Sequence, residues 1–163
     1  MSHRDKIEKM ANTYTQIYLQ FVFAVKNRTS LIHSSWKNEL FKYITGIVHN
    51  NNHKLIAING IPNHVHILIG YKPHQLIPDL LQDIKGDSSK WINKNKFTKG
   101  HFSWQAGYGA FSYSHSQVDV VAKYYIINQG KHHKRRTFKE EYLELLKRFN
   151  ILYDNKYILE DIN

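Results

Sequence analysis

Cysteine is absent from all 163 residues, so neither disulfides nor thiolate metal sites are available to this chain. Acidic residues are scarce. Only 13 Asp and Glu stand against 23 Lys and Arg, a formal net charge of +10. Such an imbalance suits a polyanionic partner, of which nucleic acid is the commonest. No apolar run approaches the ~18 residues that a membrane span needs. The stretch from Met1 to Asn12 is polar and charged, without the apolar core of a signal peptide. The expected setting is therefore the cytoplasm, with no membrane partner. Internal repeats, low-complexity tracts and linkers are missing too. What is present is 42% hydrophobic, too apolar for disorder and long enough for one domain with a real core. We expect a single domain over residues 1–163.

Hydrophobic periodicity gives the order of elements. From Tyr14 to Val25 the chain alternates, with Thr15, Ile17, Leu19, Phe21, Phe23 and Val25 on one face and Tyr14, Gln16, Tyr18 and Gln20 on the other; this predicts a half-buried strand. A helix capped by Ser34 or Ser35 runs to about Asn50, burying Trp36, Leu40, Phe41, Ile44 and Val48. Lys54–Ile58 and His64–Tyr71 read as strands of a hairpin whose turn is Gly60-Ile61-Pro62-Asn63. A second helix follows from Leu76 to about Asn95, then a strand region from Ser103 to Ser114 broken by Gly107 and Gly109. Ser116 with Asp119 predicts the cap of a third helix that Gly130 ends, and Thr137 with Glu140 the cap of a fourth, to about Phe149. The order β-α-β-β-α-β predicts an α+β fold of the ferredoxin-like split β-α-β kind: an antiparallel sheet with helices on one face, an added C-terminal helix, and the other face available for a site.

Two patterns carry chemistry. His64 and His66 share one face of a predicted strand, and their Cα atoms are separated by ~6.5 Å along it. Two imidazoles so placed can converge on one cation, although two unrelated surface histidines fit the spacing as well. On the third helix, Val120, Val121, Tyr124 and Ile127 form a packing stripe, with Tyr125 and Gln129 as an i, i+4 pair on the adjacent face. A Tyr and a Gln at the edge of a packed helix satisfy that pattern equally. The run from Lys131 to Arg136 is basic or protonatable throughout. It suits phosphate binding through Lys131, Lys134, Arg135 and Arg136, or else a solvated linker. Tyr14, Tyr18, Trp104, Tyr108, Phe111 and Tyr113 offer stacking surfaces for unpaired bases, or core.

Several segments together resemble the IS200-like, or Y1, transposases. Gly60-Ile61-Pro62-Asn63-His64-Val65-His66-Ile67-Leu68 is similar to the family's His-hydrophobic-His segment, and Tyr125-Ile126-Ile127-Asn128-Gln129 to its nucleophile segment. Leu80–Ser89 with Lys85-Gly86, Phe102–Phe111 and Phe138-Lys139-Glu140-Glu141-Tyr142 also resemble it, so the likeness spans about residues 13–145. The relatives associated with repeated palindromic elements share these segments. The resemblance implies a single-strand DNA transposase. Its catalytic tyrosine would be Tyr125, its metal ligands His64, His66 and Gln129, and its added C-terminal helix would carry the nucleophile. It implies cleavage through a 5′-phosphotyrosine with a free 3′ hydroxyl, Mg²⁺ or Mn²⁺ and no nucleotide cofactor. A structural Zn²⁺ site would want four protein ligands, which the sequence does not supply. The implied partners are single-stranded DNA with hairpin ends and a second copy of the chain, the tyrosine helix of one subunit facing the His pair of the other. Three alternatives stay open: a non-catalytic nucleic-acid-binding protein on a ferredoxin-like sheet, a metal-dependent hydrolase in which water attacks, and a replication-initiator-like nickase.

Overall fold

Apolar side chains at every second position of two strands decide which way the sheet faces. The computed structural model describes residues 12–29, 31–127 and 137–154, apart from the side chains of Arg28, Tyr124, Tyr125, Ile127 and Phe138. Strands β1 (Ile17–Ala24), β2 (Lys54–Ile61), β3 (His64–Tyr71) and β4 (Gly109–Tyr113) pair antiparallel in the order β2-β3-β1-β4. Helix α1 (Ser34–Asn50) links β1 to β2, and α2 (Ile77–Lys94) links β3 to β4. This is the split β-α-β arrangement that the periodicity predicts. Leu19, Phe21 and Phe23 of β1 and Val65, Ile67 and Ile69 of β3 pack beneath Leu40 and Ile44 of α1 and Leu80 and Ile84 of α2. Two aromatic stacks, Trp36 on Phe97 and Tyr43 on Trp91, tie α1 to α2 and the segment after it.

The second face, the one available for a site, is covered by the chain's own helices. Val22, Ala24 and Phe111 pack against Leu145 and Leu146 of α4 (Phe138–Arg148). Ala57 and Leu68 pack against Val118 and Val121 of α3 (Val118–Val121) and against Ile126 of the π-helical segment Ala122–Ile127 that continues it. The first strand is consequently buried on both sides where α4 crosses it, Gln20 being 0% and Val22 1% exposed.

Local details also moved. The N-cap of α1 is His33, with no side-chain hydrogen bond, rather than Ser34 or Ser35. The hairpin turn narrows to Pro62-Asn63, because β2 runs on to Ile61. The fourth strand keeps only Gly109–Tyr113, since Gly107 takes a left-handed φ of 86° and ends regular pairing before it; Trp104 makes an isolated bridge to Val25. Ser114 with Gln117 forms the capping box expected of Ser116 with Asp119, and opens a 3₁₀ turn instead of an α-helix. The box of Thr137 with Glu140 stands as expected, and Gly130 lies outside the described residues.

At the end of the sheet away from His64, a buried histidine joins two loops. His53 donates from Nε2 to Gln75 Oε1 at 2.9 Å and accepts at Nδ1 from the Lys72 N–H at 3.0 Å. It stacks between Tyr71 and His74. Both ring nitrogens are thus used by a neutral imidazole. Burial lowers the His53 pKa below its ordinary 6.5, against the opposing hydrogen bond to Gln75; His74 and Lys72 add to the lowering. A histidine pKa lowered by folding means that the unfolded chain binds the proton more readily. Its contribution to stability is then full above pH 6.5 and is lost as pH falls towards the lower folded value. Urea unfolding between about pH 5 and 7.5 should therefore show a stability that falls with acid, and His53→Gln should flatten that slope. An unchanged slope in the variant would remove His53 from the account.

Candidate active site

Strand parity places the two histidines. Val65, Ile67 and Ile69 occupy the helix-covered core, so His64, His66 and Leu68 must point to the opposite face. Their imidazole centroids are 5.2 Å apart and the rings are tilted by 68°. Both side chains are fully buried, because α4 lies over them. The capping box fixes the start of α4, and Glu141, one residue past the box, falls on the helix face that also carries Leu145. Its carboxylate is 2% exposed, with Oε1 3.2 Å from His66 Nε2. The candidate ligand atoms of His64, His66 and Glu141 all lie within 4.8 Å of one another.

Neighbouring side chains hold the two rings differently. His64 Nδ1 donates to Asn63 Oδ1 at 2.6 Å, which leaves a lone pair on Nε2. His66 Nδ1 instead faces the amide nitrogen of Gln20 at 2.8 Å, and Gln20 Oε1 accepts from the Tyr113 hydroxyl at 2.6 Å. His66 Nε2 is buried and makes no hydrogen bond among the described residues. A carboxylate and two imidazoles stripped of water are costly to bury. A well-packed apolar set of the same volume is often neutral or stabilising by roughly 1–4 kcal/mol. Stability therefore does not explain the cluster, which marks it as the candidate functional site. Two nitrogen donors and one carboxylate can hold a divalent metal ion, so the residues present fit a metal site.

Tyr125 belongs by its backbone to the π-helical segment Ala122–Ile127, which packs across β2 and β3. Its side chain lies outside the described atoms, and Gln129, Lys131, Lys134, Arg135 and Arg136 lie outside the described residues. The packing stripe departs from the expected one at Val120, and the side chains of Tyr124 and Ile127 lie outside the described atoms. Val118, Val121 and Ile126 are buried, while Val120 is 63% exposed. Val121 and Ile126 are five residues apart, the repeat of a π-helix rather than of an α-helix. Sequence reasoning missed Glu141 as a ligand. The available signal was an acid at a core position of an amphipathic helix, four residues before Leu145.

Close approach of α4 depends on Gly109. A Cβ there would sit 2.9 Å from both Phe111 Cε2 and Tyr142 Cε2. Burial raises the Tyr142 hydroxyl above its ordinary pKa of 10.0, so it stays protonated beside the site. Across the sheet, Lys85 donates to the carbonyls of Gln105 and Gly107 at 2.6 and 2.7 Å and so pins the loop that leads into β4. Burial lowers the Lys85 pKa.

Residues 13–129, well over half of the chain, match the protein family described as IS200-like transposases. The curated transposase TnpA of ISDra2 from Deinococcus radiodurans is 25% identical over 115 residues, covering 67% of this chain and 81% of the relative. Among solved structures, a candidate transposase of Deinococcus radiodurans R1 superposes with a TM-score of 0.59 at 22% identity, covering 69% of this chain and 91% of the other. A REP-associated tyrosine transposase bound to a REP hairpin superposes with a TM-score of 0.58 at 15% identity, covering 93% of this chain and 96% of the other. The two structures establish a shared fold. The family match ends at Gln129, before α4 and Glu141.

Gly109→Ala should force Tyr142 outward and loosen α4 at a cost of roughly 1–3 kcal/mol. Amide hydrogen exchange in Phe138–Arg148 should accelerate while that in Ser34–Asn50 stays as it was. Equal protection of α4 in both proteins would show that its docking does not need this contact.

Proposed function

The chain belongs to the IS200-like transposase family, and from that premise we propose that it cuts and rejoins single-stranded DNA with Tyr125 as the nucleophile. The observation that carries this reading is the buried cluster of His64, His66 and Glu141. It lies on the sheet face across which the Tyr125 segment packs. A divalent cation, Mg²⁺ or Mn²⁺, held by His64 and His66 with Glu141 and Gln129 as further oxygen donors, would supply Lewis acidity at the scissile phosphate. Tyr125 attacks phosphorus in line, the bond to the 3′ oxygen breaks, and the 5′ phosphate stays on the phenol. A second 3′ hydroxyl reverses the exchange. No bond energy is spent on water, so no nucleotide cofactor is required.

Access shapes the rest. The histidines are fully buried under α4, so α4 must lift before a strand reaches them. Lys131, Lys134, Arg135 and Arg136 follow the nucleophile segment and would hold the DNA backbone by charge. The hairpin bound to the REP-associated relative supports hairpin-ended DNA as the substrate. A homodimer with shared sites remains our reading of how two ends are exchanged. The cover that α4 provides within one chain makes this the step most in need of test. Among the described residues no helix is long and apolar enough to cross a membrane. The cytoplasmic location is proposed because the substrate is DNA.

Incubation with single-stranded hairpin oligonucleotides and Mn²⁺ should give a slower covalent species on a denaturing gel. Tyr125→Phe should lose that species and keep DNA binding, whereas Tyr124→Phe should retain it. The opposite pattern would transfer the role to Tyr124. Mixing a His64→Ala/His66→Ala chain with a Tyr125→Phe chain should restore cleavage if sites are shared. Mixed dimers that stay inactive would place each site within one chain. Separately, replacing Lys131, Lys134, Arg135 and Arg136 with Ala should flatten the dependence of log affinity on log salt. An unchanged slope would put the DNA surface elsewhere.

A further inference from the structure

The two histidines of the cluster are held in opposite tautomers. Asn63 Oδ1 accepts from His64 Nδ1, which places the His64 lone pair on Nε2. The amide nitrogen of Gln20 faces His66 Nδ1. An amide N–H can only donate, so His66 must accept there, and its proton sits on Nε2, which lies 3.2 Å from Glu141 Oε1 but makes no hydrogen bond among the described residues. In that form His66 cannot ligate through Nε2. A metal-binding imidazole instead donates its other N–H to an acceptor. Gln20 has one within reach, its own Oε1, if the amide turns over.

We propose that Gln20 is a positioning residue whose side-chain amide turns over when metal binds, moving the single proton of His66 from Nε2 to Nδ1. This rests on the metal reading given above. Before turnover, Gln20 Nε2 donates to His66 Nδ1 and Gln20 Oε1 accepts from the Tyr113 hydroxyl. After it, Oε1 accepts from His66 Nδ1–H and Nε2 donates to the same Tyr113 oxygen. The imidazole carries one proton in both states. A hydroxyl is the side-chain group that serves either partner, since it both donates and accepts. That accounts for a tyrosine, and not a phenylalanine, at the far end of this chain. Burial sharpens the choice: Gln20 and His66 are both 0% exposed, and a mispaired donor or acceptor there costs roughly 1–3 kcal/mol. The strand pairing fixes the partners, with Gln20 opposite Phe111 on one side and Val22 opposite His66 on the other.

The test is long-range ¹H–¹⁵N spectroscopy of His66 in the full chain, without metal and with Mg²⁺, alongside Mn²⁺ affinity measured from the free-ion EPR signal. We expect Nε2–H without metal and Nδ1–H with it. Gln20→Leu removes the acceptor and should weaken Mn²⁺ binding by about 10- to 100-fold. Gln20→Glu offers only acceptor oxygens, so it should restore the affinity and show Nδ1 protonated even without metal. Tyr113→Phe is the milder variant should Gln20→Leu fail to fold, and it should narrow the difference between the two states of His66. The same His66 tautomer with and without Mg²⁺ would overturn the switch while leaving the metal site standing. An absence of Mg²⁺ and Mn²⁺ binding to the unaltered protein would overturn both.

Discussion

The pairing of β1 with β3 is the constraint on which the rest depends. Its register sets Phe21 opposite Ile67 and Val22 opposite His66. Side chains alternate with a period of two, so a slip by one residue would exchange the two faces. Burying Val65, Ile67 and Ile69 under α1 and α2 contributes roughly 1.5–3 kcal/mol for each side chain. No hydrogen bond of the imidazoles competes with that sum. The position of His64 and His66 is therefore a by-product of core formation, and the chemistry is assembled on whatever the core leaves over.

Much of this was legible in advance. The exchange of a two-residue repeat for a three-to-four-residue one marked the strands and helices, and the strand of the histidines came out with the bounds it has. The His pair could be read because one strand carries both members and parity alone makes them neighbours. Glu141 could not be read that way, since it comes from an element far along the chain and only the docking of α4 brings it near. The same docking buries Gln20, which looked like the exposed side of a half-buried strand. The cap at Ser114 in place of Ser116, and the spacing of Val121 from Ile126, escaped because sequence patterns assume α-helical pitch, and here the chain enters through a 3₁₀ turn and continues as a π-helix.

The polar chain from Tyr113 through Gln20 and His66 to Glu141 crosses the second layer of an otherwise apolar interior. The main core between sheet and helices carries only a shorter polar link, Trp104 Nε1 donating to the buried Ser88 hydroxyl, and its largest side chains are apolar and fully enclosed. The molecule thus divides its tasks by layer. One side of the sheet carries the stability. The other, closed by the short α4 and a few contacts at Gly109 and Phe149, holds groups that an apolar packing would serve better. Local opening free energies follow buried apolar area and are lowest where it is least, so the layer that holds the histidine cluster is also the one most easily opened.

The π-helical stretch at Ala122–Ile127 carries an evolutionary consequence. A helix closed by i to i+5 bonds holds one residue more per turn than one closed by i to i+4, the same as an α-helix into which a single codon has been inserted. Deleting one residue within it would let the turn relax to ordinary α-helical pitch while the chain that follows keeps its phase. The sheet would register the loss mainly where Ile126 packs on Leu68 and Ala57. A frame-preserving deletion of three nucleotides would thus be felt first within the turn that carries Tyr125, and little in the elements before it.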